Sequence, residues 1–468
     1  MYKSSLQDSL EITRAGQDAQ STIDEIFHAL DAAGIVYCVL REYDEARLAE
    51  SATEIDLLVS PGHLPLLTEV VAAKGFVELP RWGHEPHYFF VAYDKARGSW
   101  LKLDVVTELC YGKPFRQFRI ELAENCLNDR RRQGQAYALS PENELITLFL
   151  HCLLDKADFQ PKHRVRLQAL RSAAARDQKI NQRIATEIQR YLSPALKWSA
   201  IAEAIETQGW QSLLNERGGV VAQFFQRAPI RSAWRTQRTR ALRMLRPLLF
   251  ALRRRGLAIA LLAPDGAGKS TLAAHLSRDH YLRARLIYMG TNISASTVGL
   301  PTTRWLHERI KNGYGRVTLL PKLILVLLKG VGFVNRLVEQ WYRSFMAIYH
   351  KLRGRFVVYD RYVYDSWLVP RATVSIKRMK RWLLEAACPE PDLVILLDAP
   401  GNLLFERKGE HSPEWLEKQR QGYLRLAERV PQLIIVDAQQ EAEALRREVI
   451  SLIWNCYGRQ RCERSSED

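Results

Sequence analysis

The sequence predicts a two-part chain. Its C-terminal half reads as an α/β unit with a parallel sheet and helices on both faces, and an α+β unit with a helical extension precedes it. Three observations carry this. Apolar runs at 257–263, 355–359, 393–398 and 433–436 alternate with helical patterns, and strands that alternate with helices pair in parallel. Between 36 and 106, four β-rich runs surround one helical pattern, and the last two are joined by a turn around Asp94 to Gly98. From Pro141 to Leu214 the apolar residues recur almost without interruption at helical spacing.

In chain order, residues near 20–35 form a helical pattern through Ile23, Ile26, Phe27 and Leu30, and Val36 to Leu40 is a short strand. Glu54 to Val59 alternates as a strand should and stops at Ser60-Pro61-Gly62, and Leu64 to Ala73 reads as a helix. His87 to Tyr93 and Trp100 to Val106 are two more strands. These elements give an α+β domain over 1–140 and a helical extension over 141–230. A basic amphipathic linker helix covers 231–255. The α/β domain spans 256–457, and a charged tail, read as frayed, covers 458–468.

The chain has 468 residues, enough for two or three domains with cores of their own. Its net charge of +16 favours polyanionic partners. These are phosphorylated substrates, anionic lipid or, as a weaker candidate, nucleic acid. Seven cysteines without a C-x-x-C pair argue against a disulfide framework and a zinc site. The N-terminus carries Ser4, Asp8, Glu11 and Arg14 and has no signal-peptide pattern. The expected location is cytoplasmic, with peripheral contact at the inner face of the membrane as its variant.

Two segments bear on that contact. The linker carries Arg231, Arg235, Arg238, Arg240, Arg243, Arg246, Arg253, Arg254 and Arg255, with Leu242, Leu245, Leu248, Leu249 and Leu252 on one face. Such a helix lies on anionic membrane or packs between domains with its arginines solvated, and periodicity does not separate the two. Val317 to Val334 is nearly long enough to cross a bilayer, but Pro321, Lys322 and Lys329 interrupt it. It is predicted to be a buried or interfacial helix pair.

Chemistry concentrates at Asp265-Gly266-Ala267-Gly268-Lys269-Ser270-Thr271, between an apolar strand and a helical pattern. Backbone N–H groups of such a turn wrap phosphates, and the helix N-terminus adds partial positive charge. Lys269 reaches the β/γ-phosphates and the Ser270 hydroxyl holds Mg²⁺, so a nucleoside triphosphate is the expected ligand. Ala263 stands where the G-x-x-x-x-G-K-S pattern begins with glycine. Downstream, Asp360 ends an apolar strand where a Mg²⁺-linked acid belongs, and Arg361 suits a phosphoryl group. Glu406-Arg407-Lys408 is placed to close over phosphates, and Val436-Asp437-Ala438 to lie near a base.

Those motifs, with Pro391-Asp392-Leu393 through Asp398 and Gly422-Tyr423, make residues 256 to about 453 resemble the thymidylate kinase-like P-loop kinases. The resemblance implies a P-loop NTPase-type fold, ATP and Mg²⁺ as cofactors, and kinase activity. It implies that Asp265 faces an acceptor sugar hydroxyl, that Arg361 binds the acceptor or transferring phosphate, and that Arg407 is a lid arginine. Two departures bear on the acceptor. Tyr288-Met289-Gly290-Thr291 replaces an Arg-Glu-Pro-type run, and Trp305 to Leu352 is unlike a compact nucleotide kinase. Asp360 through Asp365 resembles a divergent bacterial branch associated with surface-polysaccharide synthesis. The implied acceptor is then not dTMP but a sugar or a lipid-linked glycan.

Glu54 and Asp56 alternate on one strand and so share a face, and Asp104 lies on a later strand. Three convergent carboxylates can hold Mg²⁺ for nucleotidyl transfer. With His151 to Lys156 (HCLLDK), they make residues 20–170 resemble nucleotidyltransferase-like domains related to polymerase β. Leu40-Arg41-Glu42 replaces that family's Gly-Gly or Gly-Ser, which marks a degenerate member. His84, His87 and His163 read as ordinary surface or core histidines.

The leading expectation is therefore an ATP- and Mg²⁺-dependent phosphotransferase. The alternatives are a bifunctional enzyme with N-terminal nucleotidyl transfer, and an ATP-switched protein that binds membrane or nucleic acid.

Overall fold

The computed structural model describes residues 23–41, 54–79, 85–112, 116–227, 229–253, 256–289, 319–368, 375–430 and 432–465. The chain divides into two compact units, Met1–Arg246 and Pro247–Asp468.

The first unit is built on strands β1 (Tyr37–Val39), β2 (Glu54–Val59), β3 (Val77–Glu78), β4 (His87–Asp94), β5 (Ser99–Val106), β8 (Arg131–Gln133) and β9 (Ala136–Ala138). Among the described residues they form one mixed sheet in the order β3-β4-β5-β2-β1-β9-β8. A separate hairpin joins β6 (Leu109–Tyr111) to β7 (Phe118–Ile120). The period of two sorts the side chains. Tyr37, Val39, Ile55, Leu57 and Val59 pack with Ile23, Ile26, Phe27 and Leu30 of a helix over residues 23–32. Cys38, Leu58 and Val106 turn to the opposite face, into the core of the helical extension. Each fully buried aliphatic or aromatic side chain stabilises the fold by about 1.5–3 kcal/mol. Strands β3 and β6 to β9 have two or three residues each, too few for a period to be read from sequence.

The extension comprises helices Pro141–Leu150, Pro161–Arg176, Gln178–Leu192, Trp198–Glu206, Trp210–Asn215 and Arg217–Arg227. The first runs on as a π-helix, His151–Lys156. The basic segment is helical from Pro229 to Arg253. Within the first unit Arg235 pairs with Glu108 at 3.3 Å and Arg238 with Glu85 at 2.9 Å, whereas Arg231 and Arg240 face solvent.

The second unit has strands β10 (Ala258–Leu262), β11 (Arg285–Tyr288), β12 (Val357–Asp360), β13 (Leu393–Asp398) and β14 (Leu433–Asp437). All neighbours are parallel, in the order β11-β12-β10-β13-β14. All five residues of β10 are buried, as a central parallel strand requires. Ala258, Ala260, Leu262, Val357, Tyr359, Val394 and Leu396 share one core with Ala347, Tyr423 and Leu426 from the helices over them.

Two expectations are corrected here. Residues 319–334 do not form a helix pair. They begin one continuous helix, Leu319–Leu352, while 317 and 318 lie outside the described residues. Pro321 is third in that helix, where its missing N–H has no intrahelical partner to lose. Nor is this stretch buried at its described end, since Val331 and Val334 are more than half exposed. Among the described residues no helix is long and apolar enough to cross a membrane. The tail, expected to be frayed, is helical as far as Ser465, while 466–468 lie outside the described residues. Helix Ala442–Ser465 runs through it, anchored by buried Val449, Ile450, Ile453 and Trp454.

Candidate functional site

In the second unit the loop after β10 turns into helix Lys269–Arg278. Gly266 (φ 93°) and Gly268 (φ 82°) both take the left-handed conformation that wraps backbone N–H groups round an anion. Gly266 allows nothing larger, because a Cβ there would stand 2.6 Å from the Leu404 carbonyl oxygen. Gly268 is the N-cap, and open space lies where its Cβ would be. Ala267 is buried, while Ser270 and Thr271 are exposed in the first turn of the helix. Ser270 is therefore available to a cation. The cradle fits a phosphate chain.

Lys269 is buried, and its Nζ donates to the Ala263 carbonyl at 3.4 Å. Burial lowers its ammonium pKa, opposed chiefly by the Asp365 carboxylate. Ala263 therefore supplies a backbone oxygen, a part that needs no glycine.

Asp360 ends β12, paired in register with Leu261 at the end of β10, so it stands beside the loop. Arg361 follows with φ 62°. A non-glycine residue held there costs of order 1–3 kcal/mol and persists only where its surroundings impose it. The imposition is visible. Arg361 Nη2 donates to Asp265 Oδ1 at 2.8 Å, and Nη1 lies 3.7 Å from Asp365 Oδ2. Asp265, Asp360 and Arg361 therefore converge on the loop.

Two residues without an assigned role from the sequence belong to the site. Asp365 sits in the short 3₁₀ turn Val363–Leu368, and Tyr423 donates its hydroxyl to Asp365 Oδ1 at 3.0 Å. A chain of aromatic contacts holds the turn, stacked for Tyr359–Tyr362 (ring centroids 5.3 Å apart), edge-on for Tyr362–Tyr364 (4.8 Å) and tilted for Tyr364–Trp367 (4.9 Å). Gly422 lets its helix approach, since a Cβ would lie 3.0 Å from Leu368. The clue to Asp365 was its place in the run Asp360 to Asp365, together with Gly422-Tyr423 downstream.

Arg407 is placed differently from a lid arginine. It lies in helix Gly401–Lys408, and its Nη1 donates to the Ala438 carbonyl at 2.8 Å. It therefore braces the turn after β14. The basic group that reaches toward the loop is Lys408, 3.9 Å from Asp265. At the end of β13, Asp398 is held bidentately by Arg420 at 2.7 and 2.9 Å.

In the first unit, Glu54, Asp56 and Asp104 present oxygens within 4.8 Å of one another. Asp56 and Asp104 are register partners on parallel strands, which brings their side chains together. Each already has a basic neighbour. Lys102 is 2.5 Å from Glu54, Arg41 is 2.8 Å from Asp56, and His87 is 3.8 Å from Asp104. Burial holds His87 below the ordinary imidazole range, with Asp104 opposing. Arg41 also lies 2.7 Å from His151 Nδ1, and His151 lies 3.2 Å from Asp155. The π-helical turn brings both of these to a small cavity lined by Asp56, His87, Asp104 and Arg116. The donor set fits a divalent cation, although a cation has to displace those bases. His163 is a core residue 3.4 Å from Cys152 Sγ, and His84 lies outside the described residues.

A family model described as Thymidylate kinase matches residues 341–449, a segment that begins after the glycine loop. A probable thymidylate kinase of Thermococcus onnurineus (strain NA1) is 26% identical over 203 residues, covering 40% of this chain and 93% of that protein. One from Archaeoglobus fulgidus is 27% identical over 202 residues, covering 42% and 93%. A solved thymidylate kinase from Candida albicans aligns with TM-score 0.31 and 20% identity over 42% of this chain and 91% of that one. A score that low carries no argument. The C-terminal region is thymidylate kinase-like, and the sequence similarity is to kinases.

Proposed function

We propose that the second unit is an ATP- and Mg²⁺-dependent phosphotransferase whose acceptor is a sugar or a lipid-linked glycan rather than dTMP. One observation carries the reading: Asp265, Lys269, Asp360 and Arg361 converge on a loop with two left-handed glycines. Gly266, Ala267, Gly268, Lys269, Ser270 and Thr271 receive the triphosphate through backbone N–H groups and the Lys269 ammonium. Ser270 and Asp360 hold Mg²⁺, which when bound neutralises phosphate charge. Arg361 stabilises the charge spread over the transferring group, and Arg407 fixes the turn that borders the base. Positioning and electrostatics do most of the work in such sites.

The test is γ-labelled ATP with the full chain and a panel of nucleoside monophosphates, sugars and lipid-linked glycans. Label is expected in a sugar or glycan fraction, and excess EDTA abolishes transfer. A preference for dTMP overturns the acceptor, and no ATP binding at all overturns the kinase.

The clustering of Glu54, Asp56 and Asp104 favours a second activity, nucleotidyl transfer by the first unit. Asp56→Ala is then expected to remove transfer from a labelled NTP and spare phosphotransfer. If none of the four NTPs yields transfer with the wild-type chain, this second activity is refuted.

A further inference from the structure

The acceptor side of the proposed kinase site has an unusual charge balance. Arg361 would meet an incoming phosphate monoester, yet its guanidinium lies 2.8 Å from Asp265 and 3.7 Å from Asp365. Lys408, the next cation, is 3.9 Å from Asp265. Lys408 lies nearer still to Glu410, at 2.9 Å, so Arg361 and Lys408 face three carboxylates and little positive charge is left for an anionic acceptor. Binding a phosphate monoester there means desolvating it beside carboxylates, which like-charge repulsion opposes.

Asp365 also has one oxygen to spare. Tyr423 donates to Oδ1, while Oδ2 is shielded from solvent and makes no hydrogen bond among the described residues. A buried carboxylate oxygen without a donor is costly. A hydroxyl at that position supplies the donor, whereas a dianionic phosphate group there supplies none. The oxygen is fixed in place by the aromatic contacts under the 3₁₀ turn and by Tyr423. Burial raises the Asp365 pKa, with Lys269 as the chief opposing group, which strengthens the oxygen as a hydrogen-bond acceptor.

We propose that Asp365 determines acceptor class: its free oxygen receives a hydrogen bond from an uncharged hydroxyl compound, and its charge bars phosphate monoesters. The inference rests on the kinase reading above and deepens it.

The probe is dTMP, titrated calorimetrically into the full chain saturated with Mg²⁺ and a non-hydrolysable ATP analogue. Analogue binding is measured first, and its absence in the wild type refutes the kinase reading itself. Given analogue binding, wild type is expected to show no dTMP saturation below about 1 mM. Asp365→Asn and Asp365→Ser are expected to bind dTMP at least tenfold more tightly, because one of the two carboxylates facing Arg361 loses its charge. Asp365→Glu, which keeps the charge, is expected to bind dTMP as poorly as wild type. Thermal melts within a few degrees of wild type establish that the variants fold. Micromolar dTMP binding by the wild type, or no tightening in either neutral variant, overturns the proposal. A structural role alone predicts weaker binding in these variants, not stronger.

Discussion

Lys269→Ala is expected to lower phosphotransfer by about 10²–10³-fold, the cost of removing one positioned charge from a water-poor phosphate site. Affinity for an ATP analogue is expected to fall with it, because in the proposed site the Lys269 ammonium meets the phosphates. Folding should survive. The side chain is buried, and its Nζ has a single long contact, 3.4 Å to the Ala263 carbonyl. Burial already works against its charge, so removing the charge relieves a desolvation cost. Analogue titration and a thermal melt on one preparation separate the two effects. Unchanged ATP affinity in Lys269→Ala would falsify the assignment of this loop.

Gly266→Val should act in the opposite way, through structure first. At φ 93° a β-branched residue is strained, and a Cβ would sit 2.6 Å from the Leu404 carbonyl oxygen. Strain of about 1–3 kcal/mol is expected from the backbone, and about 1–3 kcal/mol from overpacking. For a unit of this size the two together lower Tm by roughly 4–24 °C. Because Leu404 belongs to the helix that carries Arg407 and Lys408, relief of the clash moves the loop or that helix, and ATP affinity falls as well. A melt and affinity equal to wild type would show that the loop does not pack on this helix.

Much of the second unit was legible in the sequence. β10, β12, β13 and β14 stand within one or two residues of the expected runs, because buried parallel strands are short apolar blocks that end in turn residues. The glycine loop was legible because its two left-handed positions call for glycine at fixed spacing. In the first unit β2 and the helix Leu64–Ala73 have the expected bounds, and the alternation of Glu54 and Asp56 foretold that they share a face. The helix pair at Val317 to Val334 failed because Pro321 reads as a breaker unless the helix start is known. The helix through residues 458–465 was not read because that segment is mostly polar and charged, and its apolar anchors, Ile453 and Trp454, lie in the preceding turns.

What composition and spacing determined by themselves was local: strand, turn and helix order, the glycine loop, and the carboxylates that alternate on β2. These depend on backbone periods and on glycine's freedom, which act over a few residues. Pairings across long separations were decided only by the tertiary structure. Asp365 meets Tyr423 58 positions away, Arg361 meets Asp265 96 positions away, and Arg407 turns to Ala438 rather than to the loop. Such contacts are set by which strand ends the sheet order brings together. Here β12 lies beside β10 although a helix of 34 residues separates them in the chain. That is why the glycine loop could be read from a motif, while the placement of Asp365 and Tyr423 beside it needed the fold.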